Sequence, residues 1–141
     1  MRSLCGILLA LAVGGFCGWA EAAAQLRGPL PILSVPYHDD GALDVETLVR
    51  EARFVADAGV GGFIWCQSND AIDLLTREEK MRSFAALARA FEQADVYVVL
   101  GCQGRDTDEM AALATEVERL AAAHPAAKLA IACRPPHDAR S

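Results

Sequence analysis

Residues 57–66 read Asp-Ala-Gly-Val-Gly-Gly-Phe-Ile-Trp-Cys, and this stretch predicts the end of a helix followed by a buried strand. Apolar residues at helical spacing form one stripe from Asp44 to about Ala58. Gly59 is typical of the left-handed residue that ends a helix. The run from 62 to 66 lacks alternating polar residues, which predicts a strand buried on both faces. A helix that leads into a buried strand is the repeating unit of a parallel β/α fold.

The same alternation continues along the chain. Short apolar runs predict strands at residues 30–35, 62–66, 96–100 and 129–133. The second helix begins at a capping box made by Thr76 and Glu79. The third begins near Asp106 or Thr107 and ends before His124-Pro125. We therefore predict an α/β architecture of about four parallel strands and three helices.

Length and charge exclude several classes of protein. A chain of 141 residues corresponds to about one domain and is too short for a complete (βα)8 barrel, which needs about 250 residues. Thirteen Lys and Arg residues against nineteen Asp and Glu residues give a net charge of −6, without a basic cluster. We therefore expect no nucleic-acid partner.

The N-terminus has the pattern of a secretory signal. Met1-Arg2-Ser3 precedes an uncharged stretch that extends to Ala20, and small residues up to Ala24 suit a signal peptidase. We expect residues 1–24 to be a signal peptide and residues 25–141 to be an exported, periplasmic or extracellular domain without a stable membrane span. The alternative is an uncleaved N-terminal anchor, because the uncharged run is close to the length of a spanning helix.

Three cysteines remain beyond this segment, and each follows an apolar run. Cys66, Cys102 and Cys133 form no C-x-x-C pair and have no histidine at zinc spacing, so we expect no metal site. Burial as small apolar side chains is the simplest interpretation. A disulfide between neighbours and a reactive thiol are the alternatives, because an exported chain meets an oxidising compartment.

Two loops lie where parallel β/α proteins place their ligands, beyond the carboxyl ends of strands. The loop at residues 67–76 carries Ser68 and Asn69, and the loop at residues 101–105 ends at Arg105. A hydroxyl, an amide and a guanidinium can together bind a small carboxylate. We predict these three residues as the substrate-binding set and no catalytic residue; ordinary turn chemistry is the alternative.

Several strings of the chain resemble the N-terminal half of the dihydrodipicolinate synthase/N-acetylneuraminate lyase family. They register without gaps from about residue 27 to 120. The strings are Arg27-Gly28 with Pro36-Tyr37 to Gly41, Asp57 to Gly62, Leu75-Thr76-Arg77-Glu78-Glu79, and Val99-Leu100-Gly101 with Thr107-Asp108-Glu109. The resemblance implies the N-terminal half of a (βα)8 barrel, preceded here by the signal peptide.

The family's chemistry implies residues that this sequence does not carry. Its members are class I aldolases, lyases that form a Schiff base between a lysine on the sixth strand and a 2-keto acid, with a tyrosine on the fifth strand as proton relay. The two lysines here, Lys80 and Lys128, match neither strand, and we expect both to be solvated surface charges. We expect no cofactor and no catalysis by this chain alone.

The family's carboxylate-binding loop aligns with residues 67–71 in a changed form. Ser68 keeps a hydroxyl and Asn69 supplies an amide where the family has Gly-Thr-Thr-Gly-Glu. Asp70 brings a negative charge that opposes a carboxylate. After the predicted fourth strand, residues 135–138 read Pro-Pro-His-Asp where the family has a Pro-Tyr-Tyr motif. The resemblance therefore implies an altered pocket for a 2-keto acid or a sugar acid.

Three functions remain open from the sequence. In the first, the chain is the N-terminal portion of a pyruvate or 2-keto-acid lyase, a fragment whose C-terminal half lies elsewhere. In the second, it is a non-catalytic half-barrel that self-associates to cover its open edges. In the third, it is an exported protein that binds a small carboxylate or sugar acid.

Overall fold

Three parallel strands alternate with three helices in the part of the chain that the structure describes. A computed structural model describes residue 26 and residues 28–67 and 72–134. The elements are α1 (Val45–Asp57), β1 (Gly62–Trp65), a short 3-10 helix (Ile72–Leu74), α2 (Arg77–Ala90), β2 (Tyr97–Gly101), α3 (Thr107–Ala123) and β3 (Lys128–Ala132). The predicted signal peptide lies outside the described residues. Within the described ranges, no helix combines the length and the apolar character that crossing a bilayer requires.

The strands form one sheet in the order β1-β2-β3, which confirms the predicted parallel β/α alternation. Phe63 pairs with Val98, and Val98 pairs with Leu129. Each pair of neighbouring strands is connected through a helix, as parallel pairing requires.

The segment at residues 30–35 does not form the predicted fourth strand. It joins β1 through one isolated bridge, in which Leu33 donates to the Ile64 carbonyl (2.9 Å) and Ile64 donates to the Pro31 carbonyl (2.8 Å). Residues 31, 33 and 35 turn their backbone donors toward β1, and Pro31 has no N–H. The ladder therefore cannot extend past Pro31 toward the N-terminus, and the prediction of a full strand is wrong.

The helix boundaries follow the capping residues that the sequence predicts. The side chain of Asp44 accepts from the Thr47 amide (2.9 Å) at the start of α1. Thr76 accepts from the Glu79 amide (3.2 Å), and Glu79 accepts in return from the Thr76 amide (2.9 Å). Gly59 adopts a φ of +82° directly after α1. These short-range contacts satisfy amides that a helix end leaves unpaired.

The core lies between the helices and one face of the sheet. Side chains that alternate along β1 and β2 point to this face and are fully buried: Phe63, Trp65, Val98 and Leu100. The Phe63 ring packs edge-on against the ring of Phe91, with centroids 5.0 Å apart. The indole N–H of Trp65 donates to the Ser83 hydroxyl (2.8 Å), which donates in turn to the Lys80 carbonyl (2.7 Å). The largest core side chain thus keeps its polar group satisfied.

The second face of the sheet is only partly covered by the described residues. Val99 is buried, whereas Ile32, on the same face, is 44% exposed. On β3, Lys128 lies on this second face and is exposed, and Ile131, on the helix-facing side with Leu100, is 39% exposed. The prediction of strands buried on both faces is therefore confirmed for β2, only partly confirmed for β1, where Ile64 is half-buried, and wrong for β3. An edge strand needs a covering element on each face, and the described part of the chain does not supply both.

Candidate functional site

The carboxyl ends of β1 and β2 meet at one edge of the sheet, where the sequence predicts a ligand site. Cys66 follows β1 with a φ of +63°, which makes it the one described residue other than glycine with a positive φ. This conformation turns the chain sharply out of the strand and is energetically costly for any residue other than glycine. Gly101 ends β2 directly against it, because a Cβ at Gly101 would lie 2.0 Å from the Cys66 carbonyl oxygen. The two backbones are therefore in fixed contact at this edge.

Two of the three cysteines at this edge are buried, as the simplest interpretation of the sequence predicts. Burial raises the pKa of the Cys66 thiol to about 11, although the positive charge of Lys80 opposes the rise. Burial also raises the pKa of Cys102 to about 12, and the neighbouring Cys133 and Cys66 add to the rise. Both thiols are therefore protonated near neutral pH and are poor nucleophiles. Cys133 is exposed, so the burial prediction is wrong for this residue.

Of the predicted binding residues, Arg105 lies in the described part of the chain, whereas Ser68 and Asn69 lie outside it. The Arg105 guanidinium is 3.1 Å from a carboxylate oxygen of Glu109, and its side chain is 91% exposed. The Arg105 amide donates to the same oxygen (2.9 Å). The amide and the guanidinium hydrogen bonds both lower the pKa of Glu109, and the guanidinium hydrogen bond raises the pKa of Arg105. Arg105 therefore has a carboxylate partner within its own chain, and its ligand-binding role stays a prediction.

Gln103 is a polar residue at this edge that the predicted binding set does not include. Its side-chain nitrogen Nε2 is buried and has no hydrogen-bond partner among the described residues. A buried amide donor without a partner is uncommon in folded proteins and is free to donate to a bound group. Its place two residues after β2 is the only signal of this role in the sequence.

The two lysines lie in different surroundings. Lys128 begins β3 at the amino end of the strand, away from Cys66, and its Nζ is hydrogen-bonded to the Asp95 carboxylate. That bond raises the pKa of Lys128, so the amine is protonated and not nucleophilic. Lys80 is half-buried in the first turn of α2, close enough to Cys66 for its charge to act on the thiol. The expectation of an exposed lysine therefore holds for Lys128 and not for Lys80.

A separate concavity of about 360 Å³ lies at the N-terminus of α1, and its polar groups include His38, Asp44, Glu46 and Arg82. The Asp44 carboxylate is 3.7 Å from His38 Nδ1 and is hydrogen-bonded to Thr47. The hydrogen bonds from Thr47 lower the pKa of Asp44. Asp44 thus serves as the helix cap. No group of three or more potential metal ligands occurs among the residues that the structure describes.

Comparison with known proteins adds sequence and fold relatives. No family model matches the chain. A 4-hydroxy-tetrahydrodipicolinate synthase from Haloarcula marismortui is 31% identical over 87 residues, which are 62% of this chain and 28% of that enzyme. The synthase from Methanothrix thermoacetophila is 30% identical over 60% of this chain and 28% of its own length. The chain thus spans less than a third of these curated relatives.

Solved structures share the fold at low sequence identity. A putative dihydrodipicolinate synthetase from Pseudomonas aeruginosa superposes with a TM-score of 0.71 at 18% identity, over 83% of this chain and 38% of its own. N-acetylneuraminate lyase from Fusobacterium nucleatum superposes with a TM-score of 0.69 at 20% sequence identity, over 82% of this chain and 38% of its own. A prophage protein of the dihydrodipicolinic acid synthase family from E. coli K12, in complex with pyruvate, superposes with a TM-score of 0.67 at 20% sequence identity. The match covers 79% of this chain and 35% of that protein's chain. The described elements therefore share the fold of more than a third of each of these chains.

Proposed function

Since this chain resembles the N-terminal part of the dihydrodipicolinate synthase/N-acetylneuraminate lyase family in sequence and fold, we propose that it supplies the first βα units of a 2-keto-acid lyase barrel. The observation that carries the proposal is the match to two synthases, each at least 30% identical over at least 60% of this chain. The parallel order β1-β2-β3 supports it. A protein of the same fold is known in complex with pyruvate, which makes a 2-keto acid the ligand class to test first.

In this proposal, the edge beyond β1 and β2 binds the carboxylate of the keto acid. Ser68 and Asn69 follow β1 in the sequence, and the Gln103 amide after β2 offers a buried donor that has no partner among the described residues. Amide and hydroxyl donors suit a carboxylate because each hydrogen bond to an anion is charge-assisted. Arg105 contributes less in this proposal, because Glu109 already neutralises its charge.

We further propose that a polypeptide of this sequence does not form the Schiff base by itself. Imine formation requires an unprotonated amine that attacks the ketone carbon, after which water leaves. Asp95 holds Lys128 as an ammonium at the amino end of β3, whereas the proposed pocket lies at the carboxyl ends of the strands. Lys80 lies on α2 beside the Ser83 and Trp65 pair and projects from a helix, not from a strand.

Two measurements separate binding from catalysis. Calorimetric titration with pyruvate should give heat with the wild-type chain and a weaker or absent signal with Ser68→Ala. The matched control is Ser34→Ala, an exposed serine whose replacement should leave the heat unchanged. No heat with pyruvate or with sugar acids would contradict the proposed pocket. Borohydride treatment with pyruvate should leave both lysine peptides unmodified, and a reduced adduct on Lys80 or Lys128 would contradict the proposed inactivity.

A second candidate function is self-association as a non-catalytic half-barrel. Ile32, on the less covered face of the sheet, and Ile131, on the edge strand, favour it because both leave large apolar side chains in contact with water. Light scattering at increasing protein concentration tests this candidate. A constant monomer mass over the whole range would exclude it.

Export remains a proposal that rests on the residues before Gln25. N-terminal sequencing of protein recovered from outside the cytoplasm should begin at Gln25. A chain that retains Met1 and remains with the membrane would support the anchor instead.

A further inference from the structure

We propose that Cys102 and Cys133 form a redox pair that closes to a disulfide by exchange with a low-molecular-weight disulfide, while Cys66 remains a thiol. This modification site is independent of the proposed lyase function. It rests on the pairing of β2 with β3 and on the different exposure of the cysteines.

The backbone places Cys102 and Cys133 opposite each other. The register of β2 and β3 runs from Tyr97 opposite Lys128 to Gly101 opposite Ala132. The Cys102 amide donates to the Ala132 carbonyl (2.9 Å), which is the bond that a parallel ladder makes when it pairs residue 102 with residue 133. Neighbouring strands lie about 4.8 Å apart. A disulfide needs Cα atoms separated by roughly 4.4–6.8 Å, so the Cα separation of neighbouring strands suits a link between this pair.

Both cysteines lie on the same face of the sheet. Side chains alternate along a strand, so Cys102 shares the helix-facing side with Leu100, and Cys133 shares it with Ile131. Leu100 and Cys102 are fully buried, whereas Ile131 is 39% exposed and Cys133 is exposed. A reagent in solution therefore reaches Cys133 first, and the Cys102 sulfur lies next to it beneath the surface.

Cys66 is the wrong partner for Cys102. Trp65 pairs with Leu100, so Cys66 lies opposite Gly101 and is one residue out of register with Cys102. Its φ of +63° also turns the chain away from the strand direction. Cys66 is also only 1% exposed, so a disulfide reagent in solution does not reach it.

The exchange consumes one disulfide and two protein thiols. The Cys133 thiolate attacks one sulfur of the reagent, the reagent S–S bond breaks, and one thiolate leaves. The Cys102 thiol then loses its proton to solvent and attacks the Cys133 sulfur, which releases the second reagent thiolate. The reagent is reduced to two thiols and the protein is oxidised to one disulfide. Burial raises the pKa of Cys102 to about 12, so this second step is the slower one.

The test treats the full folded chain with oxidised glutathione, blocks remaining thiols with iodoacetamide and maps the peptides by mass spectrometry. The expected product links the peptide of Cys102 to that of Cys133, and Cys66 becomes alkylated only after denaturation. Peptide mapping is required because the full sequence also contains Cys5 and Cys17. The oxidised wild type should also unfold at a higher urea concentration than the reduced protein, since the link ties an edge strand to its neighbour.

Three variants sharpen the result. Cys102→Ser should stop at a stable glutathione adduct on Cys133, because the resolving sulfur is gone. Cys66→Ser should form the link as the wild type does, and Cys133→Ser should give no link between strands. Cys133 is exposed, so its replacement leaves the fold intact. A wild-type product that keeps glutathione on Cys133, or a link between Cys66 and Cys102, would overturn the proposal.

Discussion

Replacing Ser83 by alanine should destabilise the fold, because it leaves the buried indole N–H of Trp65 without an acceptor. The hydrogen bond between the indole and the Ser83 hydroxyl is 2.8 Å long, and both residues are fully buried. An unsatisfied buried donor costs about 1–3 kcal/mol. Alanine regains about 0.5 kcal/mol as the better helix former. The expected net loss is therefore about 0.5–2.5 kcal/mol.

Urea unfolding followed by far-UV circular dichroism measures this loss. The matched control is Thr115→Ala, which removes an exposed hydroxyl that donates to the Ala111 carbonyl (2.9 Å) on α3. Its stability should stay within about 0.5 kcal/mol of the wild type. Combining Ser83→Ala with Trp65→Phe separates the causes, because the phenyl ring has no donor to satisfy. If Ser83→Ala costs as much in the Trp65→Phe background as in the wild type, the indole hydrogen bond does not explain the loss.

Three further perturbations test other parts of the fold. Gly101→Ala should lower stability by more than about 2 kcal/mol in urea unfolding, because its Cβ would lie 2.0 Å from the Cys66 carbonyl oxygen; an unchanged midpoint would show that β2 moves freely. Asp106→Ala should cost about 1 kcal/mol by removing the cap of α3, and an equal loss in Asp108→Ala would contradict the capping role. Burial raises the pKa of Cys66 and Cys102 to about 11 and about 12 from 9.0, so the unfolded chain loses these protons first. Their contribution to stability is therefore complete below the unfolded pKa of 9.0 and is lost as the pH rises toward the folded values. The urea midpoint should therefore decrease between about pH 8 and pH 10, and the decrease should be smaller in Cys102→Ala than in the wild type. An equal decrease in the two proteins would show that deprotonation of Cys102 is not the cause.

Short-range chemistry accounts for the features that the sequence predicts well. Thr76 and Glu79 contact each other across three residues, so their capping box depends on neither the sheet nor the core. Gly59 ends α1 through its own backbone conformation. Apolar runs likewise locate β1, β2 and β3, because these strands need little beyond burial to be recognised.

The errors arise where a distant neighbour decides the outcome. Pro31 limits pairing only because β1 lies on the side to which residue 31 would donate. Ile131 and Cys133 follow the same apolar pattern as the buried strands, yet their exposure depends on whether another element covers them. Gln103 is hidden by the packing of the chain around its amide, and no local pattern reports such burial.

The local sequence does contain the signal for one pairing in the predicted binding set. Glu109 lies in the first turn of α3 and Arg105 directly precedes the cap Asp106, so the Glu109 carboxylate can reach back to the Arg105 amide and guanidinium. A guanidinium that could bind a ligand carboxylate is thus supplied with a carboxylate from its own chain. Predicting a binding arginine therefore requires a search for carboxylates three and four residues away.

The position of Trp65 has a practical consequence for optical work on this protein. The sequence contains two tryptophans, Trp19 and Trp65, so a chain cleaved after Ala24 would keep a single indole chromophore. That chromophore lies at the last residue of β1, one position before the sharp turn at Cys66. Its fluorescence emission would report polarity changes at the adjacent loop without a label. Binding of a ligand at this edge of the sheet would thus change the intrinsic fluorescence emission spectrum of the protein.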